Sequence, residues 1–318
     1  KTYANINKYF NNVEILQVVT GFIGASDKNE TTTIGRNGSD YTASIFGTAL
    51  NSKQIEIWTD VSGVYSVNPN IIRDANVIPF LTYEEAMELA HAGVKVLFPP
   101  TIIPALSRNI PIKVKNTFKP NEPGTFISID KKRNDNSVIG ISSLSHVSLI
   151  RLQGAGMVGM KGLIARIFSV LADIDINIIL VAQSFSEHSI CFAIKPESVD
   201  MAISTLKFEF KDDIENQNID KIKIENNLSL VAVVGEGMRH TAGISGRIFS
   251  ALGKYKINII AISQGSSERN ISFIINDNDI DLALKVLNME FFEKTDYNLD
   301  VYLLGVGLIG SKLLDIIS

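Results

Sequence analysis

Gly162-Leu-Ile-Ala-Arg166-Ile-Phe168-Ser169 returns as Gly243-Ile-Ser-Gly-Arg247-Ile-Phe249-Ser250, 81 residues on. The offset holds without a gap through Ile176-Asn177-Ile178 and Ile257-Asn258-Ile259, Gln183 and Gln264, Ser186-Glu187 and Ser267-Glu268, and Phe192 and Phe273. Upstream, Gly154 and Gly156 match Gly235 and Gly237. Chance does not produce such a run, so residues from about 145 to 300 are two copies of one module. Each copy reads as an apolar strand (Val147 to Leu152; Leu228 to Val234), a Gly/Met loop and an amphipathic helix (Leu163, Ile167, Val170, Leu171; Ile244, Ile248, Ala251, Leu252). A β-branched strand follows (Ile176 to Ala182; Ile257 to Ile262), then another (Ser189 to Ile194; Ile271 to Ile275) and a second helix (Ser198 to Lys207; Asp279 to Leu287). With a final strand this is the βαββαβ, ferredoxin-like order.

Residues 1 to 129 read differently. Val13 to Thr20 is a predicted strand, the segment from Asp40 to Asn51 a helix, Gln54 to Trp58 a strand, and Glu84 to Ala92 a helix stopped by Gly93. The apolar stretch Val94 to Leu97 runs into a Pro99-Pro100 break. This alternation suggests an α/β layer. The polar run Asp130 to Asn136 is the expected linker.

Composition narrows the function. Hydrophobic residues make up 45% and charged residues 20% of 318, an ordinary globular balance. A net charge of −4 argues against a nucleic-acid partner. Cys191 is the one cysteine, and none of the four histidines are spaced i, i+4, so no metal cage is expected. Apolar runs such as Val301 to Gly310 are too short for a bilayer, so no membrane partner and a cytoplasmic location are expected. Lys1 and Ser318 both read as cut ends, and the chain as a slice of a longer protein.

Four stretches can carry chemistry. In Thr31-Thr-Thr-Ile-Gly35-Arg36-Asn-Gly38-Ser39-Asp40, glycines admit a ligand, a helix start faces an anion, Arg36 offers a fork and Asp40 can hold an ammonium group. A plain N-cap turn carries equal weight there. Thr59 and Asp60 end a strand, where ligands of open α/β sheets bind, and Tyr65 can flank a base; a polar hairpin turn is the competing reading. Lys95, between Val94 and Val96, can point to a phosphate or simply face solvent. In the repeats, Gln183 and Gln264 occupy one position, where an amide reads a small amino acid, with Gly156-Met157 and Gly237-Met238 on the loop side of the pocket. Finally, Gly305-Val-Gly307-Leu-Ile-Gly310 follows a predicted strand as G-x-G-x-x-G, a weak dinucleotide signal by itself.

Together these stretches resemble the aspartokinases. The resemblance rests on VTGFIG (Val19 to Gly24), TTTIGRNGSDYTA (Thr31 to Ala43), IWTDVSGVYSVNP (Ile57 to Pro69), LTYEEAMELAHAGVKVLFPPTI (Leu81 to Ile102) and IKVKNTFKPNEPGT (Ile112 to Thr125). The repeats look like the paired ACT modules of this family. VAQSFSE and ISQGSSERNISF, followed by the glycine motif, resemble its bifunctional aspartokinase–homoserine dehydrogenase branch.

The resemblance implies an α/β fold: part of an amino-acid-kinase αβα layer (1–129), then two ferredoxin-like ACT domains. These would span 137–226 and 227–298, with 137–144 pairing with the second. Residues 299–318 would begin a dehydrogenase. It implies ATP, magnesium and L-aspartate as reactants and NAD(P) for the dehydrogenase part. Phe22, Arg36, Ser39 and Asp40 would hold aspartate, and Thr59, Asp60, Tyr65 and Lys95 the nucleotide. Arg36, Ser39, Asp40 and Lys95 would be catalytic.

Met157, Gly162, Asn177, Gln183, Met238, Gly243, Asn258 and Gln264 would surround an allosteric amino acid, with threonine expected ahead of lysine or methionine. Gly305, Gly307 and Gly310 would meet the dinucleotide. A homo-oligomer, a dimer through the ACT region or a tetramer, is implied. Three departures stand out: Asn37 where the family commonly has glycine, Asn70 where it often has arginine, and Phe98 and Pro100 within its HPRT string. The family's N-terminal phosphate loop is not in these residues, so the 318 residues alone are expected to lack kinase activity. The alternatives are a stand-alone amino-acid-binding regulatory protein, a monofunctional lysine-sensitive aspartokinase, and a dehydrogenase with an N-terminal sensor.

Overall fold

A computed structural model describes residues 1–11, 15–94, 96–130, 136–183 and 188–293. Two strands of unusual length organise the second part. β7 (Gly140–Gln153) and β10 (Lys221–Val234) each run 14 residues, about twice the usual strand, because each serves both copies. Their antiparallel pairing is interrupted midway, where His146 and Asn227 take up positive φ. The second half of β7 pairs with the first half of β10, Leu149 opposite Glu225. The first half of β7 pairs with the second half of β10, Gly140 opposite Val234.

Each half then acquires its own hairpin. β8 (Leu180–Gln183) and β9 (Ser189–Ile194) extend copy one, while β11 (Ala261–Gln264) and β12 (Asn270–Asn276) extend copy two. The sheet order is β11-β12-β10-β7-β9-β8. Copy two therefore takes its last strand from upstream of copy one.

Helices α5 (Leu163–Asp173) and α6 (Val199–Glu209) cover copy one, with the short α7 (Lys211–Glu215) after them; α8 (Ile244–Lys254) and α9 (Ile280–Phe291) cover copy two. The repeated arginine fastens each helix pair. Arg166 pairs with Glu209 at 2.8 Å and stacks on Phe210; Arg247 pairs with Glu290 at 2.7 Å and stacks on Phe291. Phe192 and Phe273 are the matching buried anchors of the two cores. The repeated glycines mark close backbone crossings. A Cβ on Gly154 would lie 2.2 Å from the Asn218 carbonyl, and one on Gly235 2.2 Å from that of Ser137.

In the first part, β3 (Ile55–Thr59), β5 (Ile112–Asn116), β6 (Thr125–Ser128) and β4 (Phe80–Thr82) form one sheet in that order, with β3 and β5 parallel. α1 (Thr2–Phe10), α2 (Gly38–Ala49), α3 (Tyr83–His91) and α4 (Pro99–Ser107) flank it, and β1 (Ile23–Ala25) and β2 (Thr31–Thr33) form a separate hairpin.

Three expectations are corrected. No strand forms over 15–20; Ile15, Leu16 and Val18 are exposed, and pairing begins only at Ile23. Pro99-Pro100 opens α4 instead of breaking the chain, since a helix's first N–H groups need no intrahelical partner. β8 and β11 begin four residues later than their branched runs, because Ile176 and Ile257 are spent on the cores behind the sheet.

The two parts share packing. Ile139, just ahead of β7, and Ala232 and Val234 of β10 join the core of the first part, and Val67 joins that of copy two. No helix among the described residues is long and apolar enough to cross a membrane.

Candidate functional site

A short turn joins α2 to β3, and the two pack against each other through Gly47, where a Cβ would collide with Ile55. β3 leads from that contact to Thr59 at its other end. β5 is parallel to β3 and ends there too, Thr59 opposite Asn116. This is the carboxyl end of the strands, where open α/β sheets bind ligands.

On the α2 side, the backbone brings Phe22 onto the helix start. A Cβ on Gly21 would lie 3.1 Å from Ser39 Cα, and one on Gly38 3.1 Å from the Phe22 ring. Phe22 takes a positive φ of 72°, its N–H donating to Thr42 Oγ1 at 3.1 Å. Asn37 precedes the helix at φ 57°, a left-handed conformation that asparagine adopts far more readily than most residues. The Gly-to-Asn departure therefore preserves the backbone. Arg36 and Ser39 are exposed and Asp40 half-buried. Burial lifts the Asp40 carboxyl above its ordinary value, and a hydrogen bond with Ser39 partly offsets this. Phe22, Arg36, Ser39 and Asp40 thus lie around one helix N-terminus, whose positive end favours an anion.

On the strand side, Thr59 Oγ1 donates to Asp60 Oδ1 at 3.1 Å, and the Thr59 carbonyl accepts from Thr117 N–H at 2.8 Å. Tyr65 is half-buried and bridges to Val77, closing the segment that follows. Lys95 lies outside the described residues, as do Ser186, Glu187 and the motif of Gly305, Gly307 and Gly310. Two residues belong beside these that sequence reasoning did not single out. Asn116 donates to Ser62 Oγ at 3.1 Å and accepts from Phe118 N–H at 2.9 Å. Lys115 sits 4.7 Å from the Trp58 ring centroid. Their signal was the ending of the strand Ile-Lys-Val-Lys-Asn in register with Thr59.

Among the described residues no three His, Cys, Asp or Glu side chains gather as a metal site. Asp60 alone fits the modest demand of magnesium, which binds one or two carboxylates and otherwise keeps to phosphates and water.

In copy one, Met157, Gly162 and Gln183 come together around a cavity of about 180 Å³, lined also by Met160, Leu163, Ile164, Ser189 and Ile190. That space suits one small molecule, and its polar lining comes from the Gln183 amide and Ser189. Asn177 is exposed and does not line it. In copy two, Gly243 caps α8 at φ 91°, Met238 is buried in the core, and Asn258 and Gln264 are exposed.

A kinase-type layer joined to a pair of βαββαβ modules is the class this architecture defines. Residues 1–116 match the amino acid kinase family, and residues 150–210 and 231–291 match the ACT domain. The bifunctional aspartokinase/homoserine dehydrogenase of Haemophilus influenzae is 40% identical over 298 residues, covering 94% of this chain and 36% of that protein. Aspartate kinase of Clostridium acetobutylicum superposes with a TM-score of 0.79 at 32% identity, covering 91% of this chain and 66% of that one. Aspartokinase III of E. coli in complex with aspartate and ADP, in the R-state, gives 0.73 at 30%, covering 86% and 60%. The same enzyme with lysine and aspartate, in the T-state, gives 0.68 at 30%, covering 86% and 59%. The chain belongs to the aspartokinase family. It spans about a third of the length of the curated relatives it matches.

Proposed function

We propose that this chain supplies the aspartate kinase and regulatory part of a bifunctional aspartokinase/homoserine dehydrogenase, using ATP to convert L-aspartate into 4-phospho-L-aspartate and ADP. The observation that carries the reading is the gathering of Phe22, Arg36, Ser39 and Asp40 at the start of α2, in a layer whose parallel strands end in register at Thr59 and Asn116. A side-chain carboxylate oxygen of aspartate attacks the γ-phosphorus, the bond from that phosphorus to the bridging oxygen breaks, and ADP leaves with the electron pair. The protein's share is positioning and charge neutralisation. Arg36 pairs with the substrate α-carboxylate beside the helix N-terminus, and Asp40 and Ser39 receive its ammonium group. Thr59, Asp60 and Tyr65 are assigned to the nucleotide, as is Lys95 by its place in the sequence, and magnesium would neutralise its phosphates when bound.

The ACT pair senses an end-product amino acid, read here as threonine. The relative with 40% identity is bifunctional, and the cavity beside Gln183 is small and polar enough for threonine. Lysine is the second reading, favoured by the lysine complex of the E. coli relative. NAD(P) would serve the dehydrogenase part, and dimerisation through the ACT edges is part of the proposal.

Trapping acyl phosphate as the hydroxamate tests the reaction in a protein carrying these residues. Aspartate-dependent hydroxamate that falls about 10–100-fold with Arg36→Ala is expected, the worth of one charge-assisted contact. Hydroxamate formation indifferent to Arg36 and Asp40 would overturn the site assignment.

A further inference from the structure

The segment that follows β3 is cast against the connection from β5 to β6. At Thr59 the backbone carbonyl accepts the Thr117 N–H at 2.8 Å. At Ser62 the hydroxyl oxygen accepts from Asn116 Nδ2 at 3.1 Å. At Gly63, φ is +141° and a Cβ would lie 2.5 Å from Thr125 Oγ1, so the backbone lies directly against the start of β6. At Val64 the N–H donates to Thr125 Oγ1 at 2.8 Å, and that hydroxyl donates in turn to the Ile78 carbonyl at 2.7 Å. Asp60 falls between the first two of these anchors, and it is exposed.

Asn116 is the anchor whose side chain has least freedom. It is 6% exposed, and its amide is used at both ends: Nδ2 donates to Ser62 Oγ while Oδ1 accepts the Phe118 N–H at 2.9 Å. The amide cannot swing away from Ser62 without releasing the turn at Phe118. Glu122 stands on the other side of Ser62. A hydrogen bond from the Ser62 hydroxyl, with the Lys119 ammonium group 3.2 Å away, holds the Glu122 carboxyl below its ordinary value. Ser62 is therefore fixed from two sides. Burying polar groups costs free energy unless each is bonded, and an apolar turn would close the layer more cheaply. A bonded polar network beside an exposed carboxylate is the kind of support that locks a ligand-binding group in place.

We propose that Asn116 is a positioning residue for the nucleotide: through Ser62 it fixes the turn that carries Thr59 and Asp60, and so sets the affinity for the magnesium nucleotide without touching it. The inference rests on the reading of Thr59, Asp60 and Tyr65 as nucleotide contacts.

Steady-state kinetics in the whole protein that carries these residues tests it, with MgATP and aspartate varied separately. Asn116→Ala and Ser62→Ala are each expected to raise the KM for ATP about 5–10-fold, the worth of one hydrogen bond, and to leave the KM for aspartate within about twofold. The double variant is expected to be no worse than the worse single one, because both changes remove the same contact. A loss of folded protein lowers kcat and leaves the KM for ATP where it was. That result would overturn the proposal, as would equal rises in both KM values or fully additive effects in the double variant. Asp60→Asn separates the positioning role from the reading beneath it. If Asp60→Asn raises the KM for ATP and Asn116→Ala does not, the positioning role falls and the nucleotide reading stands. If Asp60→Asn leaves the KM for ATP unmoved, the nucleotide reading falls and takes the positioning role with it. Should Asn116→Ala fail to fold, Ser62→Ala, which removes the contact from its other side, decides the question.

Discussion

The two ACT copies are built on one pattern but embedded differently. Both bury a phenylalanine at the same register, fasten their helices with the same arginine and pass a crossing strand over the same glycine. Copy one turns a small polar cavity outward, beside Gln183. Copy two turns its corresponding loops toward α3 and fills them with Glu236, Arg269 and Asn270. The difference shows how a duplicated module divides its labour: the Glu236 backbone N–H and the Asn270 amide reach α3 while Arg269 holds the Glu236 side chain, and the core is left alone.

Removing the anchors gives the largest effect. Phe192→Ala and Phe273→Ala should each cost about 3–5 kcal/mol, the usual penalty for emptying a packed aromatic site. Urea titration followed by exchange at α3 separates them. Phe273→Ala is expected to loosen α3 together with copy two, and Phe192→Ala to leave α3 protected. Identical behaviour of α3 in both would break the comparison.

The crossing glycines come next. Gly154→Ala and Gly235→Ala each drive a methyl group into a backbone carbonyl, an overpacking cost of about 1–3 kcal/mol. Matching losses in thermal midpoint are expected, because the crossings are equivalent; a tolerated Gly154→Ala would show that the copies differ in their frames as well as their loops.

Tyr83 sharpens the kinase side. Its hydroxyl donates to the Ile110 carbonyl at 2.6 Å, and burial pushes the phenol up to about 12. Tyr83→Phe leaves that carbonyl unpaired, an expected loss of about 1–3 kcal/mol in a thermal melt. Because α3 begins at Tyr83, the loss should appear at Glu236 in copy two and not in the loop of copy one.

The smallest effect is a pH dependence. The folded chain holds the Asp40 proton more tightly than the unfolded chain does, so stability falls as pH rises from the ordinary carboxylate value of 3.8 through the raised one. Against Asp40→Asn, the parent's urea midpoint should therefore decline across that window. A parent that gains stability there relative to the variant would contradict the assigned cause, burial.

Much of this was legible in the residues. The repeat, its βαββαβ order and the clustering of Arg36, Ser39 and Asp40 at a helix start follow from periodicity and glycine placement. The rest was hidden for physical reasons. Pro99-Pro100 reads as a break until the helix that it opens is seen, because proline suits a first turn and a chain end equally. The fourteen-residue strands could not be read from local pattern, since their length comes from partners on both copies. Asn116 carried no signal by itself; only the parallel register with Thr59 gives it a place. Glu85 carries no sequence signal of its own, since one of its oxygens meets a residue 151 positions away.

The central claim is that threonine occupies the cavity of copy one. Calorimetric titration of the chain with L-threonine tests it most directly. Saturable heat, with affinity weakened about tenfold or more by Gln183→Ala as an amide contact is lost, is the predicted result. Heat from L-lysine with none from threonine, or threonine binding untouched by Gln183→Ala, would contradict it.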